Sequence, residues 1–226
     1  MVPASQAVSV ARGGGYSSCL VSGGCDRFGR VPLAEHEALL RHLWSMGLRV
    51  NVHTGKLDSE AQRRTEDILR LVSCVSLELD GSEAASQTLE YLIELSSDGS
   101  GPAVVPHVLL RGEDGWLEER VFPVLEDSRL EALVVLVLKP QPGEAPPPIG
   151  KVVDTMKMIR KAFPQIQLCL GCMRPGGEYR RELDAEAVNM GFNRIAMPHP
   201  YTARLAERAG LRVEQSDECC VLGVVK

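Results

Sequence analysis

Short apolar runs alternate with amphipathic stretches along almost the whole chain, the pattern of βα units arranged around a parallel sheet. The apolar runs at 19–22, 48–52, 74–79, 104–110, 132–138, 166–170 and 193–197 predict seven strands. Between them, helical spacing predicts helices over 33–46, 59–71, 83–95, 151–163, 181–190 and 201–209. A weaker helical pattern covers 116–127, where Pro123 ends or kinks any helix. Turn signals agree with this division: Asp58 and Ser59 suit a helix start, and Gly47, Gly191 and Gly210 follow helices as stops. The expected fold is an α/β, TIM-like parallel βα barrel, with a doubly wound open sheet as the structural alternative.

Two segments fall outside the pattern. Residues 1–15 are small and polar and close on Gly13, Gly14 and Gly15, so they read as a flexible lead-in and leave 16–226 as one barrel domain. Residues 140–148, crowded with Pro140, Pro142, Pro146, Pro147 and Pro148, read as a stiff loop over one end of the barrel.

Composition narrows the partners. A chain of 226 residues that is 44% hydrophobic suffices for one core, and with four Phe, four Tyr and two Trp that core must be aliphatic. No run approaches the roughly 18 apolar residues of a membrane helix, since even 130–138 is broken by Glu131, so no membrane association is expected. The amino terminus lacks a basic region followed by an apolar core, which predicts a cytoplasmic protein. A net charge of -5 offers no basic field for a phosphate backbone and argues against nucleic acid as partner.

In parallel βα barrels the chemistry collects where the carboxyl ends of the strands converge. Here those ends carry Gly23, Gly24, Cys25 and Asp26, then His53, Glu78 with Asp80, His107, Lys139, Cys172 with Arg174, and His199. Each also has a plain structural reading: a glycine pair as a turn, either histidine as a hydrogen-bonded core group, Lys139 as a rim charge, Glu78 and Asp80 as helix caps. Arg174 beside Pro175, Gly176 and Gly177 suits a guanidinium fork for a carboxylate or phosphate. Seven cysteines in a chain expected to be cytosolic point to buried thiols, metal ligands or reactive thiols rather than disulfides. Cys169 and Cys172 are spaced as Cys-x-x-Cys, but on a strand such positions face opposite ways, and zinc ordinarily wants four ligands.

Seven strings occur in order: LVSGGCDRFGRVPL, LRVNVHTG, VSLELDG, VVPHVLL, VLVLKPQPG, LGCMRPGGEYRRELD and SDECC. Together they resemble the radical S-adenosylmethionine (SAM) proteins related to biotin synthase, especially the subunits of two-component lipoyl synthases, over nearly all the chain from Cys19 onward. The resemblance implies an incomplete radical SAM barrel with its first βα unit missing, because the Cys-x3-Cys-x2-Cys motif that holds the radical-generating [4Fe-4S] cluster in that family is absent. It implies SAM contacts at Gly23, Gly24, Asp26, Ser76, Glu78 and Lys139, a substrate mouth at His53, His107 and Arg174, and an auxiliary iron-sulfur cluster on Cys172, Cys219 and Cys220. The paired cysteines near the carboxyl end equally suit a plug of buried thiols.

The resemblance implies the SAM- and substrate-binding part of an enzyme for sulfur insertion or related C–H functionalisation, of the lipoyl synthesis type. A small-molecule or lipoyl-carrier substrate and a companion radical SAM subunit go with that reading. A non-catalytic partner subunit is one alternative. A metal-dependent or hydrolytic barrel enzyme using His53, His107 and the cysteines is another.

Overall fold

The computed structural model describes residues 3–128 and 130–223. Seven strands, β1 (Ser18–Val21), β2 (Arg49–His53), β3 (Cys74–Glu78), β4 (Ala103–Leu110), β5 (Ala132–Val137), β6 (Gln167–Leu170) and β7 (Arg194–Ile195), form one sheet. Every neighbouring pair is parallel, and the spatial order follows the chain from β1 to β7. A doubly wound sheet reverses its strand order at a switch point. No reversal occurs here, and the sheet curls into a half-barrel, so the fold is an incomplete TIM-like barrel.

Helices α2 (Glu37–Ser45), α3 (Ser59–Leu69), α4 (Glu83–Ser96), α5 (Trp116–Arg120), α6 (Phe122–Asp127), α7 (Ile149–Ala162), α8 (Gly177–Asn189) and α9 (Thr202–Arg208) connect or follow the strands. Their starts are written locally. Asp58 accepts the Ala61 amide at 2.8 Å ahead of α3, and Ser82 accepts the Ala85 amide at 3.3 Å ahead of α4. The segment 116–127 divides at Val121, and Pro123 occupies the first turn of α6, where its missing N–H costs nothing.

Residues 1–15 correct the expectation of a flexible lead-in: α1 (Ala4–Gly14) occupies most of them. The glycines gather at the end of this helix, and Gly15 terminates it in the left-handed region at φ 63°. Half-buried Ala7, Val8 and Ala11 share one helical face, Ala11 packs on the main core, and Arg12 meets His42 of α2 at 3.1 Å.

Strand alternation divides the apolar residues into two cores. On the helix side, Val50, Val52, Val75, Leu77, Val108, Leu110, Leu133, Val135, Leu168 and Leu170 pack against Leu40, Leu69, Leu92, Met156, Ile159 and Leu183. The opposite, inner face is a smaller core of Cys74, Val105, Leu109, Ala132, Val134, Leu136 and Cys169. Val221 and Leu222, both buried, return from the end of the chain to complete it.

That returning tail bridges from β2, next to the β1 edge, to the β7 edge of the open sheet. Arg49 on β2 donates to the Leu222 carbonyl at 3.0 Å and pairs with Glu218, while Arg194 on β7 donates to the Cys220 carbonyl at 3.4 Å. The tail thus lies across the hollow toward the N-terminal ends of the strands, leaving the C-terminal ends as the open mouth. Among the described residues no helix is long and apolar enough to cross a membrane.

Candidate functional site

Inner-face alternation on β2 and β3 selects Asn51 and His53, then Cys74, Ser76 and Glu78, and the strand register carries this face onto Val105 and His107 of β4. His53 stands opposite Ser76, and Glu78 opposite His107. The mouth therefore has a polar wall made by three consecutive strands.

The histidines form the centre of that wall. Their ring centroids are 5.3 Å apart with planes tilted by 57°. His107 is buried, and its Nδ1 lies 3.1 Å from the Val105 carbonyl, which fixes the proton on Nδ1 and leaves Nε2 as an acceptor. Burial, reinforced by His53, pushes its pKa down to about 3, and burial also lowers that of His53. Both rings are neutral at pH 7.

Glu78 overlooks the same hollow from the end of β3. Desolvation raises its carboxyl above the usual range, against the pull of Arg111 and Lys56. Beneath it, the Ser76 hydroxyl donates to Asn51 Oδ1 at 3.0 Å, and Asn51 Nδ2 donates to the Cys219 sulfur at 3.6 Å. Asn51 is fully buried and is the member of this wall that residue-type reasoning passed over. Its signal was parity: a polar side chain two residues before His53, on the same face of the strand.

Other expected site residues lie elsewhere. Gly23 and Gly24 sit in the exposed loop after β1, where an added Cβ would meet nothing within 4 Å, so no close packing demands glycine there. Asp26 is committed to its own loop: it accepts the Phe28 and Arg30 amides at 2.8 and 3.0 Å and pairs with Arg30, which bridges to Asp58. Lys139 is exposed beyond β5.

Arg174 is a correction. Rather than opening onto the mouth, it is 1% exposed and pairs at 2.9 Å with Asp184 of α8, both side chains being completely buried. It also donates to the Gly171 and Met197 carbonyls, while Asp184 accepts the His199 amide at 2.7 Å and the Thr202 hydroxyl at 3.2 Å. The ion pair clamps the loop after β6 to α8, the loop after β7 and α9. A buried cation needs such a partner, and here the guanidinium is held by a carboxylate and two carbonyls of the protein itself.

The cysteines form no common ligand set. Cys172 is exposed past the end of β6, whereas Cys219 and Cys220 are half-buried in the tail, close to buried Cys74 and Cys169. Among the described residues no group of three or more His, Cys, Asp or Glu side chains is arranged to hold a metal ion. The implied auxiliary cluster therefore does not fit Cys172, Cys219 and Cys220 as placed, and the plug of thiols describes the tail. Cys220 holds the Cys219 thiol below the ordinary range and is itself pushed up by the same contact and by burial.

No family model matches the chain, and no curated protein matches it. Solved structures do. The chain is similar to SuiB of Streptococcus suis, with a TM-score of 0.56 and 11% identity over 82% of this chain and 45% of that one. It is similar to active domain 2 of a chitinase from Pyrococcus furiosus, at 0.53 and 12% over 86% and 78% of the two chains. The spore coat polysaccharide biosynthesis protein SpsE of Bacillus subtilis gives 0.53 and 12% over 95% and 68%. At such identities the likeness concerns architecture, and with the strand order it defines the class as a TIM-like parallel βα fold.

Proposed function

We propose that the half-barrel is the SAM- and substrate-binding part of a radical SAM-type enzyme for sulfur insertion or related C–H functionalisation, with a lipoyl-type acceptor as the substrate class. The observation that carries this reading is the polar wall of His53, Ser76, Glu78 and His107 at the mouth of an open parallel barrel, on the strands whose motifs resemble that family. Bound SAM would supply the sulfonium carbon–sulfur bond whose reductive cleavage starts such chemistry. The electron source belongs to a companion subunit or domain carrying the cluster motif.

This chain's residues bind and orient. Glu78 offers a carboxylate acceptor to a ligand ammonium or hydroxyl, and a cation beside it would draw its raised pKa back down. His107 presents an unprotonated Nε2 acceptor, and the Ser76–Asn51 hydrogen bond stiffens the wall beneath.

Equilibrium dialysis with SAM tests the proposal. The chain binds SAM, and Glu78→Gln weakens binding at least about tenfold, or about 1.4 kcal/mol. Absence of SAM binding by the unaltered chain overturns it.

One observation favours a second reading, a hydrolytic barrel enzyme: a carboxyl of raised pKa at a barrel mouth suits general acid catalysis. Hydrolysis of chromogenic glycosides, abolished by Glu78→Gln, would replace the first reading with this one.

A further inference from the structure

The tail that closes the floor of the hollow carries two adjacent cysteines in a setting unlike that of the other five. Cys74 and Cys169 are buried thiols, both with raised pKa values, and Cys19 is a half-buried thiol raised by the same desolvation. Cys25 and Cys172 are exposed. At Cys219 a fixed donor addresses the sulfur: Asn51 Nδ2 lies 3.6 Å away, and the Ser76 hydroxyl on Asn51 Oδ1 at 3.0 Å orients that amide so that its NH2 faces the sulfur. The neighbouring Cys220 also favours the ionised form of Cys219. Both residues are half-buried.

We propose that Cys219 and Cys220 form a dithiol site that exchanges with low-molecular-weight disulfides, Cys219 being the attacking sulfur and Cys220 the resolving one. Donors converging on one sulfur favour its thiolate, which is the nucleophile in exchange. Cys219 attacks a disulfide RSSR, the S–S bond breaks, and one RS⁻ leaves, taking up the proton that Cys219 released. The Cys220 thiol then loses its proton and attacks the Cys219 sulfur, expelling the second RS⁻. The balance is two protein thiols and one RSSR to one protein disulfide and two RSH. Oxidation also replaces the thiolate that Asn51 addresses with a neutral, weaker sulfur acceptor, so the state of the floor reaches Ser76 on the wall of the mouth.

The test is peptide mapping by mass spectrometry after a brief exposure of the full chain to oxidised glutathione at pH 7. A peptide spanning Glu218 to Val221 is expected to lose two hydrogens, with Cys74 and Cys169 unmodified. In Cys220→Ser the glutathione adduct persists on Cys219, and in Cys219→Ser neither bridge nor adduct appears in the tail. Circular dichroism of the variants guards against unfolding, and the unaltered chain decides the matter alone if they fail to fold. Modification of Cys25 and Cys172 while Cys219 and Cys220 stay reduced overturns the proposal, as does an adduct forming on Cys220 at an unchanged rate in Cys219→Ser. SAM affinity does not enter this readout, so its failure is separate from failure of the functional reading.

Discussion

His53 and His107 face one another on the inner wall of the half-barrel, ring centroids 5.3 Å apart, with the deeper ring anchored to the Val105 carbonyl. Two imidazoles so placed cannot both be charged without strong repulsion in a partly desolvated hollow, and each has a lowered pKa.

The pH dependence of stability follows from that pair. His107 titrates near its ordinary 6.5 when unfolded but at about 3 when folded, so the unfolded chain binds the additional proton between those values. Its contribution is complete above about pH 6.5 and is lost as pH falls toward 3, at up to about 1.4 kcal/mol per pH unit. Urea denaturation at pH 7 and pH 5 should show this slope, and His107→Gln should flatten it. An equal slope in the variant would place the dependence on other groups.

Arg174 and Asp184 predict an asymmetric double-mutant cycle. Removing either side alone strands a buried charge, at a cost of about 3–5 kcal/mol. The double variant Arg174→Met, Asp184→Leu should lose less than the sum of the single losses, read from chemical denaturation. Additive losses would contradict the clamp.

Gly171 leaves no room for a side chain on the inner face of the sheet. A Cβ there would stand 2.3 Å from Leu136 Cδ2 and 2.9 Å from Val134 Cγ1. Gly171→Ala should destabilise by about 1–3 kcal/mol through overpacking. Combining it with Leu136→Ala should recover part of the Gly171→Ala penalty relative to Leu136→Ala alone, measured by the same denaturation.

The repeating unit was legible in the sequence because a buried parallel strand needs a continuous apolar run whatever its neighbours are. All seven runs became strands, ending within two residues of the expected limits. Glycine position misled at α1: three glycines at a helix end resemble a linker unless the half-buried face of Ala7, Val8 and Ala11 is weighed. His53, Glu78 and His107 could be placed at the mouth because strand ends are local properties, whereas Ser76 was named only through the family resemblance. Arg174 was misplaced because its partner, Asp184, lies ten residues on in another element, and only packing shows that the pair is shut. The course of the tail was not legible either, since nothing in SDECC says that it turns back onto the inner face of the sheet.

Hydrogen–deuterium exchange of the full chain with and without SAM tests the central claim, that SAM is held at the mouth by the wall of β2, β3 and β4. The account predicts slower exchange with SAM at the C-terminal ends of these strands, around Thr54, Leu79 and Val108, with the tail around Val221 unchanged. Protection confined to the helices or the tail, or none at saturating SAM, would contradict it.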